Sequence, residues 1–384
     1  MGLRVCASSG AGAQMRVESI TLRKLRMRLK APFETSFGIT HDRPVLLVEL
    51  QADGSTGWSE VTATEGPFYN SESIDIAWLV IRNFLAPRIL GKSLSAASEA
   101  RSHFAGVRGH EMSRAGIENA LWDIESQQRG IPLSQLLGGT LKEISCGVSL
   151  SLQDSPERLL EKVSTEVAAG YQRIKIKIKP GRDLGYISAI RKPFPDIRLS
   201  VDANSAYTLD DLDLLRSFDD FKLLMIEQPL WWDDIYSHAK LQKHIKTPLC
   251  LDESIHHLRG AQAAIDLGAC RIINIKLGRV GGYTSAREIQ AYCLDRDIPA
   301  WCGGMLECGI GRAHNIAAST LPGYTLPGDV SASKRYWIED VIEPEVTVTS
   351  QGTIRVPQTP GLGYHVRHEL IDRWTVEKEI FRAS

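Results

Sequence analysis

Five charged side chains stand at nearly equal intervals in the middle of this chain, and each closes a short apolar run. They are, in order, Lys177, Asp202, Glu227, Asp252 and Lys276. The intervals between them are 25, 25, 25 and 24 residues. A short apolar run that ends in polar residues is typical of a buried strand. We therefore expect the fold to gather these five charges around one point.

The three acids indicate a site for a divalent cation. Asp202, Glu227 and Asp252 would repel one another on adjacent strand ends if nothing neutralised them. A hard cation removes this repulsion, and a few carboxylate oxygens with positions left for water and substrate describe a Mg²⁺ site. The alternative is that each acid caps a helix or pairs with a lysine. Three acids at equal spacing favour the metal site.

The lysines indicate proton transfer. Lys175 and Lys177 are two residues apart and point to the same face of their strand, whereas Ile174 and Ile176 point to the other. Under a layer of covering helices the isoleucines face outward and the lysines face inward. Lys276 lies four strands further on, on the opposite wall. Nearby cations and a metal are expected to lower the pKa of these lysines, so that they act as bases.

Two lysines that face each other across a metal-bound substrate predict a particular reaction. The metal would hold a substrate carboxylate, and one lysine would remove the proton on the adjacent carbon. The other lysine would return a proton from the opposite face. A solvated lysine face on an open antiparallel sheet is the alternative, and it does not suit a strand that helices cover.

The spacing also predicts the fold around these residues. From about residue 140, strands alternate with helical segments at 156–169, 183–192, 209–218, 234–244, 258–267 and 283–295. A strand and a helix repeated every 25 residues or so predict a parallel sheet covered by helices, with at most eight strands between residues 147 and 329. This is an α/β fold, a (β/α) barrel over residues 140–330.

The first part of the chain predicts a separate α+β unit over residues 15–139. A strand at 16–30, a loop at 31–38 and a hairpin of 45–50 with 57–61 precede helices at 72–90, 94–106 and 111–129. Strands at 346–348 and 353–356 are expected to return to this unit, so that residues 331–384 complete it. Residues 1–14 are small and polar, without the apolar stretch of a signal peptide, and predict a disordered tail.

Composition excludes several classes of function. A net charge of −1 offers no basic surface for nucleic acid or for an anionic membrane. No apolar run approaches the roughly 18 residues of a transmembrane helix. Seven scattered cysteines with no C-x-x-C pair predict buried free thiols and a cytoplasmic location.

With these residues in view, the sequence resembles the enolase superfamily from about Met15 to the C-terminus, in its muconate-lactonising-like subgroup. The resemblance rests on the K-x-K of Lys175 and Lys177, on the three acids and on Lys276. It implies a (β/α)₇β TIM-like barrel with an α+β capping domain. The nearest likeness is to the N-acylamino acid racemase / o-succinylbenzoate synthase group. The segments that carry it are 33–38, 174–181, 201–207, 301–307 and 311–315.

The resemblance implies a role for each site residue. Lys177 is the expected base on one face and Lys276 the acid or base on the other, while Lys175 holds the substrate carboxylate. Asp202, Glu227 and Asp252 are the expected ligands of Mg²⁺, or of another divalent ion such as Mn²⁺ or Co²⁺. The remaining expected contacts to the substrate or the metal shell come from Phe33, Tyr69, Ser149, Asn204, Gly304 and Met305. The loops at 33–38 and 66–70 are expected to form a lid.

Several functions stay open at this point. One site could serve a racemase of N-acylamino acids, including N-succinylamino acids, a dehydrating o-succinylbenzoate synthase of menaquinone biosynthesis, or both. Dipeptide epimerases of the family carry Asp-x-Asp on the eighth strand, where this chain has only Asp329, and a muconate-type cycloisomerase is a further alternative. A barrel that binds a carboxylate without turnover is the non-enzymatic alternative. The expected partners are a small-molecule carboxylate and further copies of the chain, from dimer to octamer.

Overall fold

A computed structural model of the chain describes residues 14–383. The predicted tail, apart from Gln14, and Cys6 lie outside these residues. Two regions follow one another along the chain: an antiparallel sheet with helices, and then a parallel sheet whose strands alternate with helices. We refer to them as the cap and the barrel.

The cap is built on three long antiparallel strands, β1 (Met15–Thr35), β2 (Gly38–Ala52) and β3 (Ser55–Val61). Along β1, buried Leu25, Met27 and Leu29 alternate with exposed residues, as the two-residue period predicted. Ala52 pairs with Ser55, so β2 and β3 are joined by the predicted Asp-Gly turn. Both turn residues have positive φ, of 46° and 74°, which suits a two-residue hairpin. The first strand is longer than predicted, because residues 31–35 continue it.

Helices cover one side of this sheet. The longest is Glu111–Arg129, and it ends at Gly130 in the left-handed conformation, as predicted. The predicted helix at 94–106 is wrong in extent, since only a short 3₁₀ turn and one helical turn form there. The elements of this part are α1 (Ile74–Val80), a π-helical turn (Ile81–Leu85), α2 (Ala86–Ile89), β4 (Ser93–Leu94), a 3₁₀ turn (Ala97–Glu99), α3 (Ala100–His103), α4 (Glu111–Arg129) and α5 (Leu133–Leu136).

The barrel contains seven parallel strands, paired in chain order from the first to the last. Each strand is followed by a helix; the first six helices lie near their predicted positions, and the seventh, after the last strand, was not predicted. The short strand β5 (Glu143–Ser145) precedes the barrel. The barrel elements are β6 (Gly147–Leu150), α6 (Pro156–Ala168), β7 (Arg173–Lys177), α7 (Leu184–Arg191), β8 (Leu199–Asp202), α8 (Leu212–Ser217), β9 (Ile226–Glu227), α9 (Ile235–Gln242), β10 (Leu249–Leu251), α10 (Leu258–Asp266), β11 (Ile272–Ile275), α11 (Tyr283–Leu294), β12 (Ala300–Cys302) and α12 (Gly309–Ala318). The parallel sheet runs from β6 to β12, and 3₁₀ turns Leu209–Asp211 and Phe218–Phe221 flank α8.

An eighth segment closes the sheet at the position that the spacing predicted. The main-chain N–H of Asp329 donates to the oxygen of Cys302 on β12, at 2.8 Å. On the other side, the N–H of Gly147 on β6 donates to the oxygen of Gly328, at 2.7 Å. Residues 326–329 therefore lie between the first and last barrel strands, and the (β/α)₇β barrel is complete.

The C-terminal region differs from the prediction in its strands. Residues 346–348 form no strand, and β14 (Thr353–Arg355) pairs with β5 below the barrel, not with the cap. The strand that completes the cap is β16 (Thr375–Arg382), which lies antiparallel beside β1 and was not predicted. The other elements are a 3₁₀ turn (Ser333–Arg335), β13 (Ile342–Glu343), β15 (His365–Val366) and α13 (His368–Trp374).

Two absences predicted from composition can be compared with the structure. Over the described residues, no helix combines the length and the apolar character needed to cross a bilayer. The six cysteines within residues 14–383 are all buried and free, as predicted.

Close packing of the hairpin on α4 leads to a prediction about stability. A Cβ added at Gly57 would overlap the main-chain oxygen of Ala120 and come within 2.7 Å of Cγ1 of Ile124. We expect Gly57→Ala to lower the free energy of unfolding by about 1–3 kcal/mol, because a helix backbone cannot move aside easily. Urea denaturation measures the change.

The matched control is Gly185→Ala on α7, where an added Cβ meets nothing within 4 Å. This substitution should leave stability unchanged or raise it by up to about 1 kcal/mol. Equal midpoints for Gly57→Ala and the unmodified chain would contradict the packing described here.

Candidate active site

A cavity of about 410 Å³ opens at the carboxyl ends of the barrel strands, with walls from both the barrel and the cap. Three of the residues that the sequence analysis assigned to the site do not line it. These are Asp202, Glu227 and Asp252, which are almost fully buried behind the lysines. The other nine line it: Phe33, Tyr69, Ser149, Lys175, Lys177, Asn204, Lys276, Gly304 and Met305.

Strand geometry explains why the five regularly spaced charges meet. Lys177, Asp202 and Glu227 are the last residues of β7, β8 and β9, and Asp252 and Lys276 directly follow β10 and β11. Parallel pairing sets Lys177 beside Asp202, and Asp202 beside Glu227. Because parallel barrel strands all end at the same rim, a repeat in sequence becomes a cluster in space.

The first half of the cluster surrounds Lys175. Its Nζ lies 2.8 Å from Oε2 of Glu227, 3.2 Å from Oδ2 of Asp202 and 2.6 Å from Oδ2 of Asp329. Lys177 Nζ lies 2.6 Å from the same oxygen of Asp202. Carboxylates from three barrel positions thus converge on one buried ammonium group. A cation at this point is stabilised by all of them.

The second half of the cluster surrounds Asp252. One of its oxygens lies 2.8 Å from Lys276 Nζ, and the other accepts from the guanidinium of Arg279 and, at 2.9 Å, from the hydroxyl of Tyr69. Lys276 also lies 4.4 Å from the centre of the Tyr69 ring and 3.4 Å from Sδ of Met305. Lys276 is therefore fixed from below by an acid, and from the cavity side by an aromatic ring and a thioether.

Acidic neighbours set the direction of the pKa shifts of Lys175 and Lys276. Burial lowers the pKa of Lys276, but the charges of Asp252, Tyr69 and Glu253 outweigh burial and raise it. Burial of Lys175 is likewise outweighed by its acidic neighbours, and its pKa is raised well above the ordinary value. The lowered lysine pKa expected from sequence depends on a bound metal ion and stays a prediction, whereas here each ammonium group lies directly on buried carboxylates that raise its pKa.

The carboxylates divide into one that stays ionised easily and one that does not. Burial raises the pKa of Asp252, but Lys276 and Arg279 more than compensate and lower it. For Glu227, burial and the charge of Asp202 act together and raise the pKa to about 7. The positive charge of Lys175 therefore does not fully compensate for burial and for the negative charge of Asp202.

Four residues of the cluster were not assigned from sequence: Arg173, Asn274, Arg279 and Asp329. Arg173 on β7 precedes Lys175 by two residues, and Asn274 on β11 precedes Lys276 by two, so the two-residue period could have found them. Asn274 donates to Oε1 of Glu227 at 2.7 Å. Arg279 lies in the loop after β11, where no periodic pattern marks it.

Comparison with known proteins agrees with this architecture. Residues 17–138 match the family described as "Mandelate racemase / muconate lactonizing enzyme, N-terminal domain", and residues 158–370 match "Enolase C-terminal domain-like". The chain belongs to the enolase superfamily. It falls in the muconate-lactonising-like subgroup of that superfamily, as the resemblance in sequence predicted.

Known proteins match this chain over nearly its whole length. It is 48% identical over 369 residues to the o-succinylbenzoate synthase of Geobacillus kaustophilus, across 96% of this chain and 98% of the relative. It is 42% identical over 370 residues to the N-succinylamino acid racemase of Thermus thermophilus, across 96% and 100%. A crystal structure of an enolase superfamily member from Listeria innocua superposes with a TM-score of 0.93 at 38% identity, across 96% and 100%. The chain described here is therefore an enzyme with lyase or racemase activity.

Enzymes of this superfamily generally use a divalent metal ion, and the buried acids fit one in their chemistry. Asp202, Glu227 and Asp252 supply only hard oxygen donors, which suit Mg²⁺ and similar ions. In the arrangement described, lysine and arginine groups lie on these oxygens. Within residues 14–383, no group of three or more His, Cys, Asp or Glu side chains is arranged closely enough to hold an ion as it stands.

The fit leads to a prediction that does not depend on activity. Mg²⁺ should raise the thermal midpoint of the enzyme, because an ion that binds only the folded chain stabilises it, by about 2.7 kcal/mol at a hundredfold excess over Kd. Glu227→Gln should lose most of this shift, since it keeps the shape but removes a negative ligand. Differential scanning fluorimetry with and without Mg²⁺ measures it.

Asp266→Asn, which changes an exposed acid on α10, serves as the control and should respond to Mg²⁺ like the unmodified enzyme. A full Mg²⁺ shift in Glu227→Gln would show that this carboxylate is not a ligand.

Proposed function

We propose that this enzyme removes and returns the proton adjacent to the carboxylate of N-succinylamino acids, and so interconverts their enantiomers. The observation that carries the proposal is that Lys177 and Lys276 line one cavity from strands four positions apart in the barrel sheet. The 42% identity to an N-succinylamino acid racemase over 96% of the chain supports the substrate class.

The two lysines would divide the reaction between two faces of one carbon. The Nζ of one takes the α-proton as the Cα–H bond breaks, and the Nζ of the other gives a proton to the opposite face. Each lysine must be neutral when it acts as the base, so the ion pair that raises the pKa of Lys276 has to be relieved in the working enzyme. A divalent ion such as Mg²⁺, held by Asp202, Glu227 and Asp252, would supply positive charge for these acids and for the substrate carboxylate.

The cavity offers a polar contact for the acyl end of such a substrate. The hydroxyl of Ser149 is buried at the cavity wall and has no hydrogen-bond partner among the described residues. At Gly304, an added Cβ would lie 2.9 Å from the main-chain oxygen of Asp329, so the close approach of these two segments favours glycine. Gly304 and Met305 line the same cavity as this unused hydrogen-bond donor, and we assign the acyl chain to this part of it.

The state of Asp329 argues against a substrate with a free ammonium group. Its Oδ1 lies 2.5 Å from Arg173 and its Oδ2 lies 2.6 Å from Lys175. A carboxylate already neutralised twice has little left to attract a substrate cation. This favours an acylated nitrogen over the free amine of a dipeptide.

A dehydrating o-succinylbenzoate synthase is the second candidate, favoured by the 48% identity to an enzyme of that name. In that reaction Lys177 would take the α-proton and then give it to the hydroxyl group on the adjacent carbon, which leaves as water as the carbon–carbon double bond forms. Lys276 would only present its positive charge to the substrate ring. The position of its Nζ over the ring of Tyr69 is the same kind of cation–π contact.

Hydrogen exchange tests the racemase proposal. With Mg²⁺ in D₂O, both enantiomers of an N-succinylamino acid should exchange their α-proton, which NMR follows directly. Lys177→Ala and Lys276→Ala should each slow exchange from one enantiomer by about 10²–10⁴-fold, because each removes the base on one face.

Lys192→Ala, an exposed lysine on the barrel surface, is the matched control and should exchange both enantiomers at the unmodified rate. Absence of exchange from every acylated amino acid tried would sink the racemase proposal.

A substitution at Lys276 that keeps the positive charge but removes the base separates the second candidate function from the first. Lys276→Arg keeps a cation that does not act as a base, so we expect it to abolish racemisation but to retain part of the dehydration activity. An absorbance assay on the cyclohexadiene precursor of o-succinylbenzoate measures the latter. Dehydration lost to the same extent as racemisation would argue against a purely electrostatic role, and no dehydration by the unmodified enzyme would remove this candidate.

A further inference from the structure

Arg43 reaches from β2 of the cap to the barrel segment that follows β12. Its side chain is buried, and it donates from Nε to the main-chain oxygen of Leu306 at 3.2 Å and from Nη1 to that of Ala63 at 3.1 Å. Glu60 on β3 lies 3.6 Å from Nη2 of Arg43 and accepts the main-chain N–H of Cys308 at 2.9 Å. The cap thus holds this barrel segment at two points. We call Arg43 and Glu60 the latch.

Leu306 is the residue that needs such a hold. Its φ of 59° lies in the left-handed region, which costs a residue with a Cβ about 1–2 kcal/mol. Conformations of this kind persist only when the surroundings fix them, and they are concentrated at functional sites. The hydrogen bond from Arg43 falls on the carbonyl of the strained residue itself.

Met305 connects the strained residue to the reaction centre. Its N–H donates to Oε1 of Glu307 at 2.8 Å, and its Sδ lies 3.4 Å from Nζ of Lys276. Met305 and Leu306 both line the cavity. A change in the main chain at Leu306 therefore reaches the side chain that touches Lys276. Lys177 has its polar contacts to Asp202 and Asn204 instead.

We propose that the latch is a positioning device of the active site: Arg43 fixes Leu306 in its left-handed conformation and thereby holds Met305 against Lys276. The device serves one face of the reaction only, because it acts through Lys276 and not through Lys177. This division between faces rests on the proposed function, whereas the hold on residues 305–308 does not.

Hydrogen–deuterium exchange of the main chain tests the hold directly. In Arg43→Gln, the amides of residues 305–308 should exchange about tenfold faster, while those of α4 should keep their rate. Arg28→Gln removes an exposed arginine from the adjacent strand β1 and should leave both regions unchanged. Unchanged exchange of 305–308 in Arg43→Gln would overturn the proposal, whatever the activity of the variant.

The effect on the two enantiomers tests the positioning role. In Arg43→Gln, α-proton exchange from the enantiomer that depends on Lys276 should slow about tenfold, since small misplacements of reacting groups are costly. Exchange from the other enantiomer should stay within about twofold. An equal loss for both would show that Arg43 is only structural. If the unmodified enzyme exchanges neither enantiomer, the proposed function fails, and main-chain exchange alone decides on the latch.

Relief of the strain supplies a rescue. Glycine adopts positive φ freely, so Leu306→Gly removes the need for the hydrogen bond from Arg43. For the enantiomer that depends on Lys276, the double variant Arg43→Gln/Leu306→Gly should exchange the α-proton nearly as fast as Leu306→Gly alone, so that most of the tenfold loss disappears. The exchange rate of Arg43→Lys should lie between those of the unmodified enzyme and Arg43→Gln. A double variant as slow as Arg43→Gln would overturn the link through Leu306.

Discussion

The ion pairs of Lys175 with Asp202 and Glu227 are the interactions on which the rest of the structure depends. Ionised groups this deeply buried cost several kcal/mol each unless opposite charges surround them. No single strand of the barrel could carry such a group. Seven parallel strands that end at one rim provide enough partners, so the cluster is stable only when the barrel is closed.

Because the buried charges of the cluster stabilise one another, the cluster responds to any further charge that enters the cavity. Burial and the charge of Asp202 raise the pKa of Glu227 to about 7, and the charge of Lys175 opposes them. Lys276 is held between Asp252 below and the cavity above. A new charge that enters the cavity therefore changes the balance of every member, because fields inside a low-dielectric site are weakly screened. Such a site is suited to reactions in which charge builds up on a bound molecule.

Much of this could be predicted from the sequence, for a definite physical reason. Asp202, Glu227 and Asp252 were visible because each closes an apolar run, and barrel geometry then brings strand ends together regardless of details. Arg279 was not visible, because its contact with Asp252 depends on the course of one loop. The apolar alternation at 346–348 predicted a strand wrongly, since a strand also needs a neighbour with free hydrogen-bonding groups. The strand at 375–382 was missed because its residues are charged and largely exposed, and only pairing with β1 gives it order.

That last strand has a consequence for how the protein is made. β1 begins at Met15, yet the strand that pairs along its outer edge ends at Arg382, and the N–H of Ala383 reaches the oxygen of Glu18 at 2.9 Å. On the ribosome, β1 emerges long before β16. The edge of β1 therefore has no strand to pair with while the whole barrel is being synthesised. Unpaired strand edges invite association with other chains, so the growing polypeptide carries this liability until residues 375–382 emerge.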